Sequence, residues 1–239
     1  MTIKAVLFDL DETLLDHSTG LEAFLHDQYQ RYPPYVAHIP YPTFRDRFIA
    51  LDQRGYVHKA IVYQQLLLEF AISNLTVAEL VADYRTTCWQ HGKTFANTPG
   101  VLQTLRSWGL KVGIVTNGET DFQSRHIDVT GLAELVDTIL ISEQEHLRKP
   151  DPRLFQRAAE RLGVAPNHCL FVGDHPINDM LGAQSAGMST IWLQHDAAWP
   201  AELTVRPTRS IIDIQALLLI VEEWSSSRKD IRTNIASRI

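Results

Sequence analysis

Short apolar runs recur along the chain, with amphipathic stretches between them. Ile3 to Phe8 is the first, rich enough in β-branched and large apolar residues to read as a buried strand. Similar runs come much later, at Lys111–Thr116, Thr138–Ser142, Cys169–Gly173 and Thr190–Leu193. The intervening stretches, such as Val101–Trp108 and Arg153–Leu162, have helical spacing. Strands alternating with helices predict an α/β fold, a mainly parallel sheet with right-handed crossovers and helices on both faces. Thr98-Pro99 and Asp151-Pro152 each place a capping residue ahead of a proline suited to a first helical turn.

Between residues 17 and 95 that rhythm breaks. Gly20–Tyr32, Tyr41–Gln53, Lys59–Ile72 and Thr76–His91 all carry helical spacing, and none reads as a strand. Thr76-Val77-Ala78-Glu79 has the form of a capping box. The expected organisation is therefore a core of residues 1–16 and 96–224 interrupted by an all-helical module at 17–95. Open α/β sheets bind ligands beyond the carboxyl ends of their strands, so an insertion after the first strand is expected to act as a lid. Residues 225–239 are polar and locally basic and are expected to fray.

Composition narrows the function classes. A chain of 239 residues with 45% hydrophobic content can build a proper core. Its net charge of −6 argues against a binder of nucleic-acid polymers, although a small anionic substrate remains compatible with a locally positive site. Two cysteines, Cys88 and Cys169, make no disulfide framework and suit a reducing compartment. No leader-like segment precedes the first strand and no apolar run is of membrane-spanning length, so the expected location is cytoplasmic. No interface signature is legible, leaving monomer and homodimer both open.

The strand ends carry the chemistry. The first runs into Asp9 and Asp11, the second into Thr116-Asn117-Gly118, and the fourth into Gly173-Asp174, with Asp179 five residues on. Lys149 stands before Pro150-Asp151-Pro152. In a parallel sheet these groups emerge at one edge. Crowded carboxylates repel by about 4 kcal/mol per close pair at an effective dielectric of 20, so the cluster calls for cations. Lys149 is one, and an all-oxygen donor set favours Mg²⁺ as another. Asp9, ionised at an ordinary carboxyl pKa of about 3.9, can attack phosphorus without a general base. Asp11 is placed to protonate the leaving oxygen and then activate water, if crowding keeps a proton on it near neutrality. The Thr116 hydroxyl, nearby backbone N–H groups and Lys149 are placed to hold phosphoryl oxygens.

Phe8–Leu14 (FDLDETL), Thr116–Gly118 (TNG), Lys149–Pro152 (KPDP) and Gly173–Asp179 (GDHPIND) resemble, in order, the four motifs of the haloacid dehalogenase (HAD) superfamily. The resemblance spans nearly the whole chain. It implies a Rossmann-like core with a helical C1-type cap inserted after the first motif. It assigns Asp9 as nucleophile, Asp11 as general acid/base, Thr116 as phosphate binder, with Asn117 and Gly118 beside it, and Lys149 as charge stabiliser. Mg²⁺ would be held by Asp9, the Asp11 backbone carbonyl and Asp174, with Asp179 a ligand or an orienting acid behind them. The superfamily's dehalogenases generally lack the acid two residues after the nucleophile, so Asp11 points to the phosphatase branch. The motifs look most like phosphatases of small phosphorylated metabolites, nearest to house-cleaning pyrimidine 5'-nucleotidases, with sugar-phosphate and flavin-mononucleotide phosphatases close behind. The alternatives are a phosphotransferase or phosphosugar mutase, a 2-haloacid dehalogenase, and a non-catalytic regulatory protein on the same scaffold.

Weaker candidates have bland readings beside them. His17 follows Asp16 and can face a leaving group, but a surface histidine fits as well. Cys88 and His91 have metal-like spacing, yet two such ligands make no zinc site. Tyr29, Phe44, Phe48, Tyr63 and Phe70 read as helix packing rather than a stacking platform. Arg45, Arg47 and Arg54 read as a solvated face, and His175 as a loop residue near the metal acids.

Overall fold

The computed structural model describes residues 2–195 and 198–226. Of the expected tail at 225–239, only the last two residues of a helix fall inside that range. The described residues form a wholly parallel sheet from β1 (Ala5–Phe8), β2 (Lys111–Thr116), β3 (Thr138–Ile141), β4 (Cys169–Gly173), β5 (Ser189–Leu193) and β6 (Arg209–Ile211), in the order β3-β2-β1-β4-β5-β6. The α/β fold with a mainly parallel sheet is thus as the pattern of apolar runs implies. The last strand is a finding of the structure. Its sequence, Arg-Ser-Ile, buries one side chain and offers no apolar run to read.

Alternation along the strands builds a core on each face, as a pleated backbone requires. Val6 and Phe8 pack on one side with Val112, Ile114, Leu170 and Val172. They lie beneath helices α6 (Thr98–Ser107), α7 (Thr120–Val129) and α11 (Ala216–Ser226). Ala5 and Leu7 face the other way, with Val115 and Phe171, against α9 (Pro152–Arg161) and α10 (Gly182–Ser185). Burial on both faces explains why these strands read as continuous apolar runs rather than alternating ones. A four-residue helix, α8 (Ser142–Glu145), follows β3.

The chain divides into two compact units, Met1–Leu15 with Thr94–Ile239, and Asp16–Lys93. The junctions differ slightly from those expected at 16/17 and 95/96, for a local reason at each. Asp16 caps the first helix of the second unit by accepting from Thr19 N at 3.0 Å. Thr94 bridges to Leu15, and Phe95 N donates to Leu14 O at 3.2 Å, so both belong with the core. The regular elements of the second unit are all helical: α1 (His17–Arg31), α2 (Pro33–Val36), α3 (Tyr41–Asp52), α4 (Lys59–Glu69), α5 (Val77–Thr87) and a 3-10 turn at Cys88–His91. α5 opens on the reciprocal bonds of a capping box, Glu79 N to Thr76 Oγ1 and Thr76 N to Glu79 Oε2. Aromatic residues pack inside this unit, Phe48 edge-on to Tyr63 at 5.4 Å and Tyr29 tilted against Phe44 at 5.9 Å. Arg45 and Arg47 pair with Asp46 and Glu69, as a solvated face would.

Two details of helix starts are informative. Asp151 caps α9 through Arg153 N, as its place before Pro152 suggests. Thr98 does not cap α6. It is already the first helical residue, and its buried hydroxyl donates instead to Leu14 O at 3.1 Å, tying α6 to the loop after β1. No helix among the described residues is long and apolar enough to cross a membrane.

Phe155 on α9 is fully buried and meets Phe171 of β4 edge-to-face at 4.9 Å. Phe155→Ala is expected to cost about 3–5 kcal/mol of unfolding free energy in urea titrations.

Candidate active site

β1 lies between β2 and β4, with Phe8 in register with Ile114 and Val172. The three strands therefore deliver their carboxyl ends together. Asp9 leaves β1 with its N–H still bonded to Val172 O at 2.9 Å, and its Oδ1 accepts from Leu10 N at 2.7 Å. Lys149, almost wholly buried, sets its ammonium 2.6 Å from Asp9 Oδ1 and 2.7 Å from Asp179 Oδ1. The other oxygen of Asp179 accepts from His175 N at 2.9 Å. One oxygen from each of Asp9, Asp174 and Asp179 falls within a 4.8 Å cluster. Gly173 makes this approach possible, because a Cβ there would lie 2.5 Å from Asp179 Oδ2.

The electrostatics follow from burial. Asp9 is pushed up to about 7, first by desolvation and then by Asp179, with Lys149 pulling the other way. Asp174 rises to about 9, again chiefly by desolvation, then by Asp179 and Asp9. Burial pulls the Lys149 ammonium down, but Asp179 and Asp9 outweigh it and hold the group above its ordinary value. Asp9 therefore does not have the ordinary carboxyl pKa expected from its residue type. Burial and the neighbouring acids disfavour the anionic form of Asp9, and the adjacent Lys149 ammonium favours it. Three clustered carboxylates against one ammonium leave uncompensated negative charge, and their oxygen donors suit a hard divalent ion. The residues present fit Mg²⁺.

A second group of side chains meets through a residue that sequence reasoning missed. Gln123, on the first turn of α7, donates from Nε2 to Asp11 Oδ2 at 2.8 Å and to Thr116 Oγ1 at 3.0 Å. The Thr116 hydroxyl reaches Asn117 O at 3.5 Å, too long for a normal O–H···O bond. Gly118 gives Gln123 its path, since a Cβ on Gly118 would stand 2.6 Å from Gln123 Cγ. The burial of Gln123, seen only in the structure, accounts for the role. Gln123, His126 and Ile127 share the buried stripe of α7, and a buried amide needs partners.

Asn117 and Gly118 do something more specific than lie beside a phosphate. The Asn117 amide donates to Lys149 O at 3.1 Å and accepts from Lys149 N at 2.9 Å, clamping the backbone of the buried lysine. Gly118 N donates to Ser142 Oγ at 3.0 Å. Asp174 is steadied through its main chain, whose carbonyl accepts from the Trp192 indole at 2.7 Å. His175 caps the π-helical turn Pro176–Leu181, its Nδ1 accepting from Ile177 N and Asn178 N. His17 is the first residue of α1 and belongs to the helical unit, not to the core that carries these groups. The core thus brings together Asp9, Lys149, Asp174 and Asp179, and separately ties Asp11 to Thr116.

Comparisons with known proteins bear on the family of the chain. Residues 6–193 match the family described as haloacid dehalogenase-like hydrolase. The glyceraldehyde 3-phosphate phosphatase of Pyrococcus furiosus is 25% identical over 97% of this chain and 98% of its own. A putative pyrophosphatase PpaX of Clostridium perfringens is 30% identical over 82% of this chain and 86% of its own. Among solved structures, a HAD phosphatase from Thermococcus onnurineus superposes with a TM-score of 0.64 at 28% identity, covering 92% of this chain and 98% of that one.

The raised carboxyl groups make stability depend on pH. Between the unfolded value of 3.8 and the folded values of about 7 for Asp9 and about 9 for Asp174, the folded protein holds protons that the unfolded chain has released. Stability from these groups is full below the lower limit and is lost as pH rises through the folded values. In chelator, Asp174→Asn, which cannot ionise, is therefore expected to be more stable than the parent at pH 8 and no more stable at pH 4. Urea unfolding at the two pH values checks this.

Proposed function

The chain belongs to the haloacid dehalogenase-like hydrolases, and from that membership we propose that it hydrolyses phosphomonoesters through a covalent aspartyl-phosphate on Asp9. It is a phosphatase of small phosphorylated substrates, a class to which the named substrates of its relatives, glyceraldehyde 3-phosphate and pyrophosphate, also belong. The observation that carries the mechanism is the Lys149 ammonium between the Asp9 and Asp179 carboxylates, with Asp174 completing an oxygen cluster.

Asp9 is aimed by β1 and lowered toward its anionic form by Lys149, against the pull of burial. As an anion, one Asp9 oxygen attacks phosphorus and the ester oxygen departs. Asp11, held by Gln123, gives that oxygen a proton and later takes one from the water that splits the aspartyl-phosphate, which returns Asp9 and releases phosphate. Thr116 presents its hydroxyl, and Lys149 a remaining N–H, to the phosphoryl oxygens. Asp9, the Asp11 carbonyl and Asp174 would hold Mg²⁺, with Asp179 holding Lys149 beside them. When bound, the ion supplies positive charge that offsets repulsion between the anionic nucleophile and an anionic phosphoryl group.

Phosphate release from a panel of nucleotide, sugar and cofactor monophosphates with Mg²⁺ tests the proposal. Asp9→Asn is expected to abolish turnover while leaving the far-ultraviolet circular dichroism unchanged. EDTA is expected to stop turnover reversibly. Full activity of Asp9→Asn would sink the mechanism. Halide release from a 2-haloacid without metal, or isomerisation of a sugar phosphate without free phosphate, would replace it with the dehalogenase or mutase reading.

Cation binding to raised carboxyl groups displaces their protons. Mg²⁺ affinity, read by calorimetry in two buffers of different ionisation enthalpy, is expected to increase from pH 6 to pH 8.5 with net proton release.

A further inference from the structure

His195 lies just beyond β5, outside every motif that carries the resemblance. Its Nε2 is 2.6 Å from the backbone carbonyl of Glu12, the residue after Asp11. A carbonyl only accepts, so Nε2 carries the hydrogen and the tautomer is fixed by its partner. Glu12 has φ +55°, in the left-handed region where an L side chain crowds its own carbonyl. A non-glycine residue stays there when its surroundings hold it. We propose that His195 is a positioning residue, fixing the turn that carries Asp11 through the Glu12 carbonyl.

The histidine is itself well braced. Its ring stacks on Phe95 with centroids 6.0 Å apart and planes 23° from parallel. Phe95 N donates to Leu14 O, and Leu14 N to Leu10 O at 2.9 Å, so the stack ends on the same turn. On the other side, the neighbouring Gln194 N donates to Ile211 O of β6 at 2.7 Å. The sheet edge thus reaches the turn through His195. Gln123 holds the Asp11 carboxylate from α7, while His195 holds the backbone next to it. With its backbone loose, the Asp11 carboxyl group would sample orientations in which it misses the leaving oxygen.

The catalytic consequence rests on the role given to Asp11 above. The test compares His195→Phe, which keeps the ring over Phe95 and loses the donor, with His195→Gln, which restores a side-chain N–H. In His195→Phe, kcat should fall roughly ten- to a hundredfold, a loss typical of a misplaced catalytic group, with KM unchanged. Amide hydrogen exchange in the peptide spanning residues 9–15 should quicken, and His195→Gln should recover most of both. A folded His195→Phe protein with parental exchange would overturn the proposal. Faster exchange with an unchanged kcat would also overturn it, as would a glutamine variant no better than phenylalanine. The exchange arm needs no substrate, so it decides whether His195 holds the turn even if the phosphatase reading fails.

Discussion

A buried ammonium between two carboxylates is the constraint around which the core is arranged. Lys149 has lost nearly all its water, a situation costing several kcal/mol unless the lost hydration is replaced. Asp9 and Asp179 replace it at 2.6 and 2.7 Å. Each of these acids would be as poorly off without the lysine. Neither side of the arrangement stands without the other, and that mutual need fixes where the strand ends and the loop after β3 must lie. The geometry also leaves Asp174 short of positive charge, which is why the cluster invites a divalent cation.

Rigid elements hold the active groups at their backbones as much as at their side chains. Asn117 clamps the main chain of Lys149, Trp192 holds the carbonyl of Asp174, and Asp9 keeps a ladder bond to β4. Such contacts leave carboxylate and ammonium heads to meet one another and a substrate. A site built this way has little reorganising left to do when charge develops in the transition state.

Much of this was legible before any coordinate, and the reason differs from residue to residue. Apolar runs that end in acids announce β1 and β4, because a strand buried on both faces leaves a continuous signal. Asp9, Lys149 and Asp174 lie within short motifs and could be named at once. Gln123 could not, since a glutamine on a helix is ordinarily solvated and only the path left by Gly118 brings it to Asp11. β6 was missed because an edge strand with two exposed residues carries no apolar run. The raised carboxyl of Asp9 was missed for another reason: residue type sets a reference value, whereas depth of burial sets the shift. Thr98 shows the limit of local rules, since a threonine before a proline looks like a cap until Leu14 claims its hydroxyl.

Each unit closes its own ends. Asp16 N donates to Lys93 O at 2.8 Å in the helical unit, while Leu15 and Thr94 bridge in the core. The entropy of joining two chain ends grows only slowly with the length between them, so the core is nearly indifferent to what is spliced in at that seam. Closed at both ends in this way, the segment of residues 16–93 can change in length at a small entropic cost to the strands and turns that flank it.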